Sequence, residues 1–187
     1  IPLTGYGINL PGPHQRDNAA LAAAAVHQIG LPLNSDIVRA ALSKVTWPGR
    51  FEKISTIHYP FSIILDAAHN PHAAEAVVAT WKEEFPDQKA TIIFGAVEGK
   101  NTDKVLTILS TIADQIHFTP INSPRSLTAE DYESALSNNT PHTIHSSLEK
   151  ALESTTDSHT LICGSIFLIG QAKALLSAQS TPVASSQ

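Results

Sequence analysis

A chain of 187 residues, 42% of them hydrophobic, is long enough for one domain with a sizeable core plus a small added piece. Its net charge of −5, with no basic run interleaved with aromatics, argues against nucleic-acid binding. No apolar run approaches the ~18 residues of a membrane span, no secretory signal is visible, and the single Cys163 excludes an internal disulfide and fits a reducing cytoplasm. The chain has no methionine and begins Ile1-Pro2-Leu3, so it is expected to be a piece of a longer protein.

Residues 1–16 are rich in Gly and Pro and read as irregular or edge-strand structure. A helix is expected over 19–29, N-capped by Asp17 or Asn18 and ended by Gly30. Ser35 is expected to cap a second helix over 36–44. The two helices, joined through Gly30-Leu31-Pro32, form an αα-hairpin too small to be a domain. Trp47-Pro48-Gly49-Arg50 breaks the pattern. Strands are expected over 51–58 and 61–65, followed by a helix over 71–85 that starts with Pro71, where proline is favourable. Strand and helix then alternate: strands over 90–94, 115–119, 143–145 and 160–163, helices over 102–113, 128–136, 147–154 and 165–177. The Ser/Gln-rich residues 178–187 are expected to be disordered.

Repeated βα units of this length predict an α/β fold, a Rossmann-like and mostly parallel sheet with helices on both faces, preceded by a short helical segment. The expected boundary lies near Pro48, dividing 1–47 from 48–177.

In such sheets ligands bind at the carboxyl ends of the strands. Ile63-Ile64-Leu65-Asp66-Ala67-Ala68-His69-Asn70-Pro71 places an acid, an imidazole and an amide at one such end. Asp66 there can bind a ribose hydroxyl or orient a neighbouring group, and His69 can touch a phosphate or a carboxylate. The plainer alternative is that Asp66 and Asn70 cap the next helix. Gly95-Ala96-Val97-Glu98-Gly99-Lys100-Asn101 resembles a phosphate loop but fails the G-x-x-x-x-G-K-[ST] spacing, so Lys100 is an anion contact or a solvated lysine. Arg125, in Pro124-Arg125-Ser126, can fork onto a carboxylate or is an ordinary surface arginine. Ser165, after Gly164, offers helix-start N–H groups to an anion or is a plain cap. Cys163 reads as a buried small hydrophobe. His69-x-x-His72 and His142-x-x-His145 lack a closed ligand set, so no metal site is expected on this chain.

Taken in order, these stations resemble the carboxyl-terminal half of the bifunctional folylpolyglutamate synthase/dihydrofolate synthase family, in the Mur ligase superfamily. The resemblance rests on Gly12-Pro13-His14-Gln15 with Asn18, Trp47-Pro48-Gly49-Arg50-Phe51-Glu52, Leu65-Asp66-Ala67-Ala68-His69-Asn70-Pro71, Phe94-Gly95 with Lys100, Pro124-Arg125 and Cys163-Gly164-Ser165. The family usually has Gly where Ala67 stands, which alanine replaces without strain if its φ is negative. It usually has Asp where Asn101 follows Lys100.

The resemblance implies an ATP-dependent ligase that adds L-glutamate to dihydropteroate or to a tetrahydrofolate polyglutamate through an acyl phosphate. It implies an amino-terminal P-loop domain in cis that carries the Mg2+ ligands, with 1–47 as the tail end of that domain and 48–177 as the glutamate-ligase domain. Asn18, Arg50 and Asp66 would contact the nucleotide, and His69 would lie beside the reacting groups. Ser165, Lys100 and Arg125 would meet the incoming glutamate or the phosphates. The isolated chain would be inert, and the setting cytoplasmic. Two other readings stand beside this one: a peptidoglycan-precursor ligase domain, and a non-catalytic α/β module that binds a nucleotide or an anion.

Overall fold

The structure is a computed structural model and describes residues 7–136, 139–156 and 159–179. The chain runs α1 (Pro13–Gln28), α2 (Ser35–Leu42), β1 (Glu52–Ile54), β2 (Ser62–Leu65), α3 (Pro71–Glu84), β3 (Ala90–Phe94) and α4 (Thr102–Leu109). It continues with β4 (Ala113–Phe118), α5 (Ala129–Ala135), β5 (His142–Ile144), α6 (Leu148–Glu153), β6 (His159–Cys163) and α7 (Ile166–Gln179). The strands form one six-stranded sheet in the order β1-β2-β6-β3-β4-β5. Only β1 is antiparallel, pairing Glu52 with Leu65 and Ile54 with Ile63.

The last strand, β6, is inserted between β2 and β3. The carboxyl ends of β2, β6, β3 and β4 therefore form one row, since these strands are mutually parallel. Side chains alternate across the pleat, so one strand feeds two cores. Ile64, Ile92, Phe94, Leu161 and Cys163 pack on one face against Val77 and Trp81 of α3, Leu106 of α4 and Tyr132 of α5. Ile63, Leu65, Ile93 and Ile162 pack on the other against Leu152 of α6 and Leu168 and Ala172 of α7. Apolar residues on both faces explain why these strands read as continuous hydrophobic runs.

The mostly parallel α/β fold expected from sequence is present, and 90–94 coincides with β3. Several boundaries differ. The first helix begins at Pro13, not at Ala19, with Gly12 as N-cap at φ 105° and no side-chain cap, so Asp17 and Asn18 lie inside the helix. A proline in the first turn supplies the start that Asp17 was expected to supply. Asn34, not Ser35, caps α2, its side chain accepting from the Ile37 N–H. The strand expected over 51–58 is only Glu52–Ile54. Gly30 follows α1 at φ 76°, as a helix-ending glycine does. Of the tail expected to be disordered, 178–179 belong to α7, and 180–187 lie outside the described residues.

α1 packs against α3, tied to it by an ion pair between Arg16 and Glu83. That contact brings the helical segment over the β2 end of the sheet, which positions the site.

Candidate functional site

β2 runs out of the core into Asp66, which is buried. Its Oδ2 accepts the Phe51 N–H at 2.9 Å and its Oδ1 accepts the Ala68 N–H at 2.9 Å. Burial raises the Asp66 pKa above its ordinary value, and the two N–H groups and the Arg50 charge oppose that rise. Asp66 is thus no helix cap. Asn70 is: its Oδ1 accepts from Ala73 N–H at 2.9 Å at the start of α3.

His69 is half-buried between them, its Nδ1 2.8 Å from the Ala67 carbonyl oxygen. A carbonyl only accepts, so Nδ1 carries the proton and Nε2 is left as the acceptor in the neutral ring. Ala67 is not among the positive-φ residues, so alanine is unstrained where the family usually has Gly. The Gly164 N–H donates to the Ala68 carbonyl at 2.8 Å, which sets the β6 end against this turn. Ser165 follows, buried, its Oγ accepting from Phe167 N–H at 3.2 Å.

Arg50 stands exposed between Gly49, at φ 69°, and Phe51, at φ 46°. Two of the cavities that it lines hold other candidate residues. One, of about 230 Å³, is shared with Asp66, His69, His14 and His72. The other, of about 390 Å³, is shared with Asn18, Gln15, Trp47, Ala22 and Leu42. Asn18 Nδ2 donates to Gln15 Oε1 at 3.1 Å. The larger cavity offers apolar walls and two amide side chains, which suit a flat heteroaromatic ring. The smaller offers a guanidinium and imidazoles, which suit an anion.

The structure thus brings Asn18, Arg50, Asp66 and His69 together, with Ser165 on the adjoining strand end. Lys100 and Arg125 form a second group, and neither lines the cavity around His69. They lie on the loops after β3 and β4, which are zipped together by Glu98 N–H to Arg125 O at 3.0 Å and Leu127 N–H to Ala96 O at 3.1 Å. Arg125 Nη2 donates to the Glu98 carbonyl at 3.0 Å, so its fork is partly engaged by backbone.

Two cavity residues received no role from sequence, His14 and His72. His14 Nδ1 is buried without a hydrogen-bond partner. Its pKa is lowered by burial and by the Arg50 and His72 charges, against an opposing pull from Asp17. His69 and His72, three apart at a helix start, carried the available signal. Among the described residues no group of three or more His, Cys, Asp or Glu side chains can hold a metal ion.

A doubly wound α/β domain with its polar cluster at a strand-end switch is the class that this fold and site define. Residues 49–166 match the family model described as Mur ligase, glutamate ligase domain, and the chain belongs to that family. It is 32% identical over 173 residues to the dihydrofolate synthase/folylpolyglutamate synthase of Bacillus subtilis, covering 88% of this chain and 40% of that protein. The fold is similar to that of Mycobacterium tuberculosis folylpolyglutamate synthase complexed with ADP and AMPPCP, with a TM-score of 0.80 and 30% identity over 90% of this chain and 41% of that one. It is also similar to the bifunctional folylpolyglutamate synthase/dihydrofolate synthase of Yersinia pestis complexed with AMPPNP and Mn ion, with a TM-score of 0.78 and 29% identity over 93% of this chain and 41% of that one. The chain thus spans about two fifths of these relatives. No helix among the described residues is long and apolar enough to cross a membrane.

Proposed function

We propose that this chain is the glutamate-ligase part of an ATP-dependent acid–amino-acid ligase that joins L-glutamate to dihydropteroate or to a folylpolyglutamate. The observation that carries the reading is the meeting of Asn18, Arg50, Asp66 and His69 around two cavities that share Arg50. Nucleotides in the similar solved structures support it.

In this reading 48–177 is the ligase domain and 1–47 the last part of an ATPase domain whose P-loop lies upstream. Asn18 meets the adenine edge beside Trp47, while Arg50 and Asp66 hold the ribose and phosphate side. The Mg2+ ligands are assigned to that upstream domain. A reducing cytoplasm is the setting.

The chemistry asks for these groups. A carboxylate of the acceptor takes the terminal phosphoryl group of ATP, the amine of L-glutamate attacks the acyl carbon, and phosphate leaves. Negative charge develops on phosphoryl oxygens and on the tetrahedral carbon, so cations and N–H donors fixed in advance lower the barrier. His69, with Nδ1–H held by the Ala67 carbonyl, offers Nε2 to the incoming amine. Ser165, Lys100 and Arg125 receive the carboxylates of glutamate or the phosphates. Closure of this wall onto the ATPase domain excludes water from the acyl phosphate.

The test is amide formation by the full-length protein from ATP, L-glutamate and dihydropteroate or tetrahydrofolate. His69→Ala is expected to lower kcat by about 10²–10³-fold. A near wild-type rate contradicts the role given to His69, and product from muramyl nucleotides instead of folates contradicts the substrate class.

A further inference from the structure

Backbone groups on both sides of Arg50 are held by hydrogen bonds, and one of the side chains that holds them has no part in the reading above. Gly49 N–H donates to Glu52 Oε2 at 2.8 Å, and Gly49 O accepts the Ala67 N–H at 2.9 Å. Phe51 N–H is held by Asp66, and its buried ring packs edge-on against Trp81. Both flanks of Arg50 are left-handed, a conformation that a non-glycine residue such as Phe51 adopts only when its surroundings impose it.

Glu52 ties this arch to a distant element. Its second oxygen, Oε1, accepts from Lys173 Nζ of α7 at 2.5 Å. The pair is part-buried, with side chains 37% and 25% exposed for Lys173 and Glu52, so solvent screens it less than a surface pair. α7 also buttresses the arch directly. A Cβ placed on Gly49 would come within 3.0 Å of Ile169 Cγ2. α7 begins next to Ser165, in the same row of strand ends.

We infer that Glu52, anchored by Lys173, is a positioning residue that fixes the Gly49–Phe51 arch so that Arg50 is presented to the nucleotide. This rests on the reading of Arg50 as a nucleotide contact. Glu52 does not touch the ligand. It acts by removing backbone freedom that Arg50 would otherwise lose on binding, the general route by which a preformed arm gains affinity. It also links α7, which carries Ser165 at its start, to the arginine arm, so the two strand-end groups move as one body.

The experiment is calorimetric ADP binding by the full-length protein, with thermal unfolding measured alongside. Glu52→Ala is expected to weaken ADP binding about tenfold. Glu52→Gln, which keeps an oxygen for the Gly49 N–H, recovers most of that loss. The Arg50→Ala/Glu52→Ala pair binds no more weakly than Arg50→Ala alone, a non-additivity that general destabilisation does not give. Additive losses, or wild-type affinity in Glu52→Ala while Arg50→Ala is impaired, overturn this inference alone. Wild-type affinity in Arg50→Ala overturns it together with the nucleotide reading. Where Glu52→Ala fails to fold, Lys173→Ala decides: a loss that vanishes in the Arg50→Ala background supports the inference, and an additive loss or none overturns it.

Discussion

Asp66 Oδ2 accepts the backbone N–H of Phe51, fifteen residues earlier in the chain, at 2.9 Å. The bond closes the turn that carries Arg50 onto the end of β2. With Oδ1 on the Ala68 N–H, one carboxylate builds both the arginine arch and the turn that aims His69. Asp66→Ala is therefore expected to lower stability by about 2–4 kcal/mol, from two buried N–H groups left without acceptors. Urea unfolding reads this directly. A change within about 0.5 kcal/mol, the range of surface substitutions, contradicts the structural role.

Gly164 sits at φ 109°, where a Cβ would fall 2.6 Å from the Gly95 carbonyl oxygen and 2.8 Å from Phe94 Cε2. Neither neighbour is a flexible side-chain end. Gly164→Ala is expected to destabilise the fold by about 2–4 kcal/mol, from backbone strain and overpacking together. In the full-length protein it should also impair ligation, because it displaces the start of α7. An alanine variant with unchanged unfolding midpoint refutes the tight approach of β6 to β3.

Tyr132 links the loops after β3 and β4, its hydroxyl accepting the Ala96 N–H at 3.0 Å. Burial pushes its pKa up to about 12. Tyr132→Phe keeps the ring stacked on Phe118 but leaves the Ala96 N–H unpaired. The expected loss is about 1–2 kcal/mol. Hydrogen exchange at Ala96 should accelerate with it, and unchanged exchange would contradict the bond.

His14, His145 and His159 have pKa values below the ordinary 6.5, in each case chiefly because burial penalises the imidazolium. The unfolded chain then binds more protons than the fold as pH falls through 6.5, so this stability is present above that pH and lost below it. Asp66 works the other way, since its raised pKa favours the folded state at low pH and that benefit fades as pH rises above 3.8. The melting temperature is expected to fall between about pH 7.5 and pH 5.5, where the imidazoles titrate. His145→Asn, which removes the imidazole 2.7 Å from His117 Nδ1, should flatten that fall. An unchanged slope contradicts the assignment.

The strands were legible because both their faces are apolar, so β3 and β6 stand out as runs bounded by turn residues. The start of α1 was not, because Gly12 and Pro13 read as loop while Asp17 and Asn18 resemble better caps than the glycine in use. At the site, the cluster Asp66-Ala67-Ala68-His69-Asn70 was legible as a strand end, since position alone marks it. What each side chain does there was not. Asp66 finds its partner through the antiparallel pairing of β1 with β2, and Glu52 finds Lys173 across 121 residues. Local spacing holds no trace of either contact. Lys100 and Arg125 read as two separate loop cations, whereas the zipped loops bring the Glu98 carbonyl onto Arg125.

In the proposed function this chain forms one wall of a nucleotide and glutamate site that an upstream P-loop domain completes. The most direct measurement compares ATP-dependent glutamate addition to dihydropteroate or tetrahydrofolate by the full-length protein and by residues 1–187 alone. Product is expected from the full-length protein and none from the isolated chain. Turnover by the isolated chain, or its absence from the full-length protein with every substrate present, would contradict it.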